Sequence, residues 1–257
     1  MGEVLLVSFL HDDSKPTMMK PTLYLPRFIF LITLLLSIAA CEKGNGVLTT
    51  QTFEIDSFDK IELHRHANVY ITVGPTRSVS IEAEENLMDL ITTDVVDGTW
   101  KIDFKKTVKE YLRMNIHITV PTISSLKVVD GSGGDIYLEN KLEAANLILL
   151  LSGDGTINGE VAIADKLTTT LEGSGRINIT GTADKHEVNS SGAGIVAMYD
   201  LVANTGSVTT SGSGDVQIHY TGNWNALITG AGNIRYKGIA PASVDTTGGS
   251  GRVILMP

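Results

Sequence analysis

The sequence predicts an all-β protein whose chain winds into a parallel β-solenoid with about twenty residues per coil. Two observations lead to this prediction. A glycine motif returns at that spacing through the second half of the chain, and an aliphatic residue follows each copy at a fixed distance. Helical periodicity is almost absent from the same region, so successive coils are expected to pair through parallel strands about 4.8 Å apart.

The glycine motif reads Gly-x-Gly or a close variant in each coil. The last glycine of each copy is Gly134, Gly155, Gly175, Gly194, Gly214, Gly232 and Gly251, with steps of 18 to 21 residues between neighbours. A glycine required once per coil predicts a corner where the backbone takes a positive φ or packs tightly against the next coil. These seven residues are therefore interpreted as structural corner glycines.

An aliphatic side chain stands two residues after every corner glycine. These residues are Ile136, Ile157, Ile177, Val196, Val216, Ile234 and Val253. They are predicted to stack as an interior ladder, because alternate side chains of a strand point to the same face. A second, looser ladder lies two positions further on, at Leu138, Gly159, Ile179, Met198, Ile218, Tyr236 and Leu255. Runs such as Thr168-Thr169-Thr170 before the corners indicate strands with an exposed hydroxyl face.

The preceding part, residues 51–125, has no glycine corner but still alternates apolar and polar residues. Its runs include Val69-Tyr70-Ile71-Thr72-Val73 and Ile116-His117-Ile118-Thr119-Val120, and Asp97-Gly98 marks a turn. The end of a solenoid exposes apolar side chains and open strand edges, which must be covered. This irregular part therefore either caps the solenoid or adds early coils.

The N-terminus predicts export and lipid attachment. Residues 1–18 include a polar stretch with His11, Asp12, Asp13 and Pro16 that fits no targeting segment, so translation is expected to start at Met18 or Met19. Residues 19–40 have the basic start and the short apolar run of a signal peptide. That run ends in Ile38-Ala39-Ala40-Cys41, which resembles the lipobox of bacterial lipoproteins. Cys41 is the predicted site of lipidation, because a thiolate is the natural nucleophile for this alkylation.

The part after the signal peptide is predicted to be a tether followed by one domain. Residues 41–50 are polar and glycine-bearing, which indicates a flexible tether, and residues 51–257 form the domain. The domain divides into the irregular part 51–125 and the glycine-cornered repeats 126–257. Cys41 is the only cysteine, so no intramolecular disulfide can form. The formal charge of −9 argues against a nucleic-acid partner and leaves the lipid as the contact with the membrane.

The order of the motifs resembles the head GIN domain family of putative auto-transporter adhesins. The resemblance rests on Phe58-Asp59-Lys60-Ile61, Val69-Tyr70-Ile71-Thr72, Glu84-Glu85-Asn86-Leu87 and Val96-Asp97-Gly98, followed by the glycine repeats. It covers most of the chain after Cys41. The resemblance implies a right-handed parallel β-helix-like solenoid in a secreted or lipid-anchored protein of Gram-negative bacteria. We therefore expect a cell-envelope protein, an outer-membrane lipoprotein that faces either the periplasm or the cell surface.

The residues that could carry chemistry form no recognisable catalytic or metal-binding set. His64 and His66 share one strand face, but no third ligand is apparent, and exposed histidines are the favoured interpretation. His117, His186 and His219 are expected at the surface. The run 131–135 is similar to calcium-binding nonapeptide repeats, yet the spacing and the variable residue at the aspartate position argue against calcium. No catalytic residue, metal or cofactor is predicted.

Charged residues near the corners leave one enzymatic alternative open. The acids are Asp135, Asp154 and Asp215, and the bases are Arg176, Arg235 and Arg252. If neighbouring coils brought them together, they would supply the acid and base of a polysaccharide lyase or hydrolase of the β-helix type. Their positions differ within the repeat, so solvated charges that discourage edge aggregation are the favoured interpretation.

Three functions therefore remain. The favoured one is a non-enzymatic cell-envelope lipoprotein, an adhesin or binding module that presents an elongated β-face to a glycan, matrix or envelope partner. The second is a carbohydrate-active β-helix enzyme. The third is a scaffold whose role is set by its neighbours. The sequence predicts neither the identity of the glycan or protein ligand nor the oligomeric state.

Overall fold

The computed structural model describes residues 42–129, 131 and 133–257 of the chain. The expected start region 1–18, the signal peptide 19–40 and Cys41 lie outside the described residues, as do Asp130 and Ser132. Within the described part, a 3-10 helix covers Glu85–Leu90, and no helix is long and apolar enough to span a membrane. Strands make up most of the remainder.

Eighteen strands follow one another along the described chain. They are β1 (Leu48–Phe53), β2 (Lys60–Leu63), β3 (Asn68–Val73), β4 (Ser78–Glu84), β5 (Val95–Val96), β6 (Thr99–Ile102), β7 (Asn115–Val120), β8 (Ser125–Val128), β9 (Asp135–Leu138), β10 (Leu142–Leu151), β11 (Thr156–Leu171), β12 (Arg176–Ser190), β13 (Ile195–Thr210), β14 (Val216–Tyr220), β15 (Trp224–Ile228), β16 (Ile234–Gly238), β17 (Ser243–Asp245) and β18 (Val253–Leu255).

From β10 onward the chain is a β-solenoid in which each coil lies on the previous one. Strand β11 pairs in parallel with β12, and β12 pairs in parallel with β13, at a sequence offset of about twenty residues. The later coils continue the pattern through the parallel pairs β14 with β16, β15 with β17 and β16 with β18. The predicted fold class is thereby confirmed.

The aliphatic ladder runs through the interior of this stack. Its members pair one to one in register from Ile136 to Val253. All are fully buried except Val253, which is partly buried in the last strand. The second ladder is buried over most of its length but ends in Leu255, whose side chain is exposed. The prediction of an interior position is therefore wrong for Leu255, because it lies in the last strand of the stack.

Close stacking explains the corner glycines. A Cβ atom added at Gly155 would lie 1.9 Å from the carbonyl oxygen of Gly134, and one at Gly194 would lie 2.2 Å from that of Gly175. None of the seven corner glycines has a positive φ. The sequence left open whether the corner glycines are required for a positive φ or for tight packing. The structure shows tight packing against the neighbouring coil.

The first three coils are stacked in an order that differs from their order along the chain. Strands β2 and β3 form a coil that lies between the coil of β6 and β7 and the coil of β8 and β9. Strands β8 and β9 then pair with β10 and β11. The coil of β2 and β3 is thus first along the chain but second in the stack. The coil of β6 and β7 follows it along the chain and is outermost in the stack. The coil of β8 and β9 then packs on the other side of β2 and β3 and is followed by β10 and β11.

An antiparallel cap covers the strand edge of the outermost coil. Strand β4 pairs antiparallel with β7, and β1 pairs antiparallel with β4. The 3-10 helix buries Leu87 and Met88 at the same end, and the turn Asp97-Gly98 joins β5 to β6 with positive φ at both residues. The irregular first part therefore supplies both a cap and early coils.

The predicted tether is corrected for residues 42–50. Backbone hydrogen bonds join Glu42 to Thr107 at 3.1 Å and to Lys109 at 3.0 Å, and β1 begins at Leu48. Gly44 lies against the buried carboxylate of Glu84, where a Cβ atom would be 2.1 Å from Oε1. Polar, glycine-bearing composition indicated flexibility, but here the glycine allows close packing.

Candidate binding face

The crossed order of the first coils builds a flat surface from three neighbouring strands. Strand β3 lies in register between β7 and β9, so the outward side chains of all three strands form rows across the sheet. We call this surface the tyrosine face. It consists of Asn115, His117 and Thr119 from β7, Asn68, Tyr70 and Thr72 from β3, and Asp135, Tyr137 and Glu139 from β9 and the residue after it.

The middle row is a column of stacked rings. The rings of Tyr70 and His117 have centroids 4.8 Å apart and planes at 12°, and those of Tyr70 and Tyr137 are 5.3 Å apart at 15°. His117 is exposed, and the two tyrosines are half-buried. Because the rings cover one another's faces, the column presents ring edges, a phenol hydroxyl and an imidazole to solvent.

One flanking row is a chain of amides that ends at a carboxylate. Asn68 Nδ2 donates to Asn115 Oδ1 at 2.9 Å, and Asn115 Nδ2 donates to Glu82 Oε2 at 2.8 Å. The guanidinium of Arg113 donates to Glu82 Oε1 at 2.6 Å. Hydrogen bonds from Arg113 and Asn115 hold the pKa of Glu82 below its ordinary value. The amide orientations are thus fixed before any ligand arrives.

The other flanking row combines hydroxyls with a carboxylate. Thr72 Oγ1 donates to Glu139 Oε2 at 2.6 Å, and Asn140 exchanges hydrogen bonds with the backbone of Val73 at 2.8 and 2.9 Å. In the middle row, burial first and the nearby carboxylate of Asp135 second raise the pKa of Tyr137 above that of an ordinary phenol. The face therefore offers hydroxyl and amide donors together with amide and carboxylate acceptors.

The geometry favours binding over catalysis. Asp135 and Glu139 are four residues apart along an extended segment, which separates their Cα atoms by about 13 Å. Glu139 is also turned toward Thr72. A glycosidase needs two carboxyl groups about 5 to 9.5 Å apart across a substrate bond. The surface has groups that can hold a polar ligand, and Asp135 and Glu139 are not placed as a glycosidase pair.

The six corner charges considered for an enzyme do not converge. Among them the structure brings one ion pair together, Asp215 with Arg235. Although burial alone would raise it, hydrogen bonds from Arg235 and Asn233 hold the pKa of Asp215 below its ordinary value. Asp135 and Arg176 lie in one register row with Thr156 between them. Asp154 and Arg176 line a shallow depression at the glycine corners, and the backbone N–H of Arg252 donates to Asn233 Oδ1 at 3.1 Å.

The histidines divide into three environments. His64 Nε2 lies 3.7 Å from Glu62 Oε2, and His66 is exposed. No group of three or more metal-binding side chains occurs in the part of the chain that the structure describes. His219 is half-buried. The expectation of a surface position is wrong for His186, which is 1% exposed and lies 3.0 Å from Thr169 Oγ1 through its Nε2.

The predicted hydroxyl face is only partly exposed. Thr169, Ser190 and Thr210, at the centre or end of the Ser/Thr-rich runs, point into the solenoid and are buried. Their neighbours Thr168 and Thr170 point outward. Strand alternation requires this division, because successive side chains of a strand lie on opposite faces.

The tyrosine face was not predicted from the sequence. Its signal was an aromatic residue at the same alternating position in the strands of Tyr70, His117 and Tyr137. These strands lie about twenty and about fifty residues apart, so the glycine period did not connect them. Only the crossed coil order places the three rings in one column.

Comparison with known proteins adds a family and a fold. A family model described as "Putative auto-transporter adhesin, head GIN domain" matches residues 57–240. No curated protein matches the chain significantly in sequence. The family match includes all three strands of the tyrosine face and most of the glycine corners.

Solved structures share the fold over nearly their whole length. A "putative adhesin" from Bacteroides fragilis NCTC 9343 is 27% identical, with 84% of this chain and 100% of that chain covered and a TM-score of 0.76. A "putative lipid binding protein" from Parabacteroides distasonis ATCC 8503 is 22% identical, with coverages of 84% and 99% and a TM-score of 0.68. A "putative adhesin" from Parabacteroides merdae ATCC 43184 is 24% identical, with coverages of 85% and 100% and a TM-score of 0.67. The last two likenesses concern the fold alone.

Proposed function

This chain belongs to the head GIN domain family of putative auto-transporter adhesins, and from that premise we propose that it is a non-enzymatic binding module of the cell envelope. In this proposal the tyrosine face binds a glycan, and a lipid on Cys41 anchors the protein. The family model and the relative from Bacteroides fragilis, named as an adhesin, support the general role. The choice of ligand class comes from the chemistry of the face.

One observation carries the choice of a glycan. A column of two tyrosines and a histidine lies between a row of hydrogen-bonded amides and a row of hydroxyl and carboxylate groups. A sugar presents closely spaced hydroxyls that both donate and accept hydrogen bonds. The tyrosine face has donors and acceptors in a fixed array that can bind such hydroxyls. Since its partners are already oriented, little side-chain entropy is lost on binding.

Binding to immobilised oligosaccharides tests this function. The probe is an array of neutral and acidic oligosaccharides, and the variant is the double substitution Tyr70→Thr with Tyr137→Thr. Threonine keeps the preference for an extended strand while removing both rings. We expect the wild-type protein to bind a subset of the glycans and the variant to lose at least ten-fold in affinity.

The matched control is Tyr199→Thr, because Tyr199 is another half-buried tyrosine but lies on β13, outside the tyrosine face. It should bind as the wild type does. Equal binding by the double variant would remove the tyrosine face as the site. Release of cleaved or unsaturated sugars during the same incubation would contradict a non-enzymatic role.

A further inference from the structure

The first described residue of the chain is fixed to a loop of the outermost coil. Glu42 forms a parallel bridge with Val108, through its N–H to the carbonyl of Thr107 and its carbonyl to the N–H of Lys109. Two residues after Glu42, the N–H of Gly44 donates to the carbonyl of Glu110 at 2.9 Å. The start of the described chain is thus held by an isolated parallel bridge along the segment that joins β6 to β7.

Covalent geometry then places the anchor. Cys41 is joined to Glu42 by one peptide bond, and consecutive Cα atoms are about 3.8 Å apart. A diacylglyceryl group on the thiol of Cys41 would therefore begin beside the bridge between Glu42 and Val108, separated from it by the Cys41 side chain. No spacer separates the lipid from the folded domain.

We propose that the loop of residues 105–112 is the membrane-facing surface of the protein and lies on the phospholipid surface that holds the Cys41 anchor. This inference rests on the lipid anchor of the proposed function and goes beyond it, because it fixes which end of the solenoid meets the bilayer. A domain on a flexible tether would have no preferred orientation relative to the membrane. Here hydrogen bonds fix the chain as far as Glu42, the residue next to the lipidated Cys41, so the domain has a preferred orientation.

The chemistry of the loop fits a phospholipid surface. Lys105, Lys106 and Lys109 occur in a chain whose formal charge is −9. Within the described residues, neither Lys105 nor Lys109 has a carboxylate within 4.0 Å. Lys105 Nζ donates one hydrogen bond to the carbonyl of Asp89 at 3.3 Å, and the Lys109 ammonium is available to lipid phosphates. The carboxylate of the loop, that of Glu110, pairs with Lys43 at 2.6 Å. Lys106 lies 3.9 Å from Glu42.

An exposed apolar side chain completes the surface. Leu112 is 66% exposed at the end of this basic loop, although its backbone N–H is fixed by Glu84 Oε2 at 2.8 Å. A leucine beside lysines is the combination that lies in the interfacial region of a bilayer. Glu85 and Asp89 on the 3-10 helix lie at the same end and limit the charge attraction. The proposed orientation therefore depends more on the short covalent link between Cys41 and Glu42 than on the charge of the loop.

The orientation is testable with two matched leucines at opposite ends of the solenoid. Leu112 and Leu255 are exposed to 66% and 61%, and Leu255 lies in the last strand, β18. Lipidation occupies the thiol of Cys41, so Leu112→Cys or Leu255→Cys would introduce the only free thiol of the lipidated chain. Each thiol is labelled with a bimane fluorophore, and the protein is reconstituted into vesicles of phosphatidylethanolamine and phosphatidylglycerol that contain a nitroxide-labelled lipid.

We expect the bimane at residue 112 to be quenched at least three-fold more strongly than the bimane at residue 255. Equal quenching at the two positions, or stronger quenching at residue 255, would overturn the proposed orientation. The mass of the N-terminal peptide of the same preparation reports the lipid. A lipidated peptide with equal quenching leaves the anchor in place and removes the orientation, whereas an unmodified Cys41 removes both.

Discussion

At the scale of single residues, hydrogen bonds fix one polar ring in the interior of the solenoid, the imidazole of His186. His186 is fully buried beside Thr169, and its backbone carbonyl accepts a hydrogen bond from Tyr220 Oη at 2.8 Å. Gly206 permits this arrangement, because a Cβ atom there would lie 2.7 Å from the Tyr220 ring and 2.0 Å from the His186 carbonyl. The histidine therefore serves as a neutral interior residue.

Burial of His186 predicts a loss of stability in weak acid. Burial lowers its pKa from 6.5 to about 3, so between these values the unfolded chain binds a proton that the folded chain does not. Stability is then complete above the unfolded pKa and declines as the pH falls toward the folded one. Acidification from pH 7 to pH 5 should lower the free energy of unfolding by about 2 kcal/mol through this residue.

Urea unfolding at pH 7 and pH 5 measures this difference. His186→Gln keeps a partner for Thr169 and cannot titrate, so its stability should change much less between the two conditions. His66→Gln is the control, because His66 is exposed and its replacement leaves the buried His186 in place. A wild-type stability that is the same at both pH values would show that His186 does not couple folding to protons.

At the scale of elements, the corner between two strands is the unit that repeats. From Gly155 onward each corner packs its glycine on the carbonyl of the corner glycine one coil earlier, at a separation that excludes a side chain, and Gly134 packs on Leu63 and the carbonyl of Arg65. Because the contact is made with backbone, a neighbouring rotamer cannot relieve the clash. The corner is thus specified by the absence of a Cβ atom, and this explains why the motif is visible in the sequence.

Gly194→Ala tests that explanation. Its Cβ would lie 2.2 Å from the carbonyl oxygen of Gly175, so we expect a loss of about 3 kcal/mol in the free energy of unfolding. Gly248→Ala is the matched control: it meets nothing within 4 Å but has φ of +86°, so it should cost about 1 kcal/mol. Thermal or urea unfolding compares the two. A smaller cost at Gly194 than at Gly248 would contradict close stacking.

The pairing between coils explains which parts of the fold could be predicted from the sequence. Each coil from β10 onward pairs with its neighbour in sequence, so periodicity alone revealed the ladder from Ile136 to Val253. The first coils pair across the chain, with Tyr70 beside both His117 and Tyr137. No period of the sequence encodes that crossing, and the tyrosine face therefore appeared only in the structure. The prediction of a flexible tether was wrong over residues 42–50, because composition does not reveal that Gly44 packs on Glu84.

At the scale of the whole molecule, the solenoid is a column with two different ends. The capped end carries the tyrosine face and the segment that follows Cys41. Eight strand spacings separate β7 from β18, which is about 38 Å along the stack. If the lipid holds the capped end, the tyrosine face lies close to the bilayer and β18 lies farthest from it. A partner of that face would then be a glycan near the membrane surface.

For an anchored cell-envelope protein of the kind proposed, exposure outside the cell decides whether adhesion is the role, and protease treatment of intact cells measures that exposure. An epitope tag after Pro257 would follow β18 at the end away from the lipid. An adhesin requires the domain outside the cell, so we expect protease to remove the tag from intact cells. A tagged periplasmic protein in the same cells must survive, and lysis must expose both tags. A Pro257 tag that is protected until lysis would place the domain in the periplasm, where a glycan of the envelope could still bind but a surface of another cell could not.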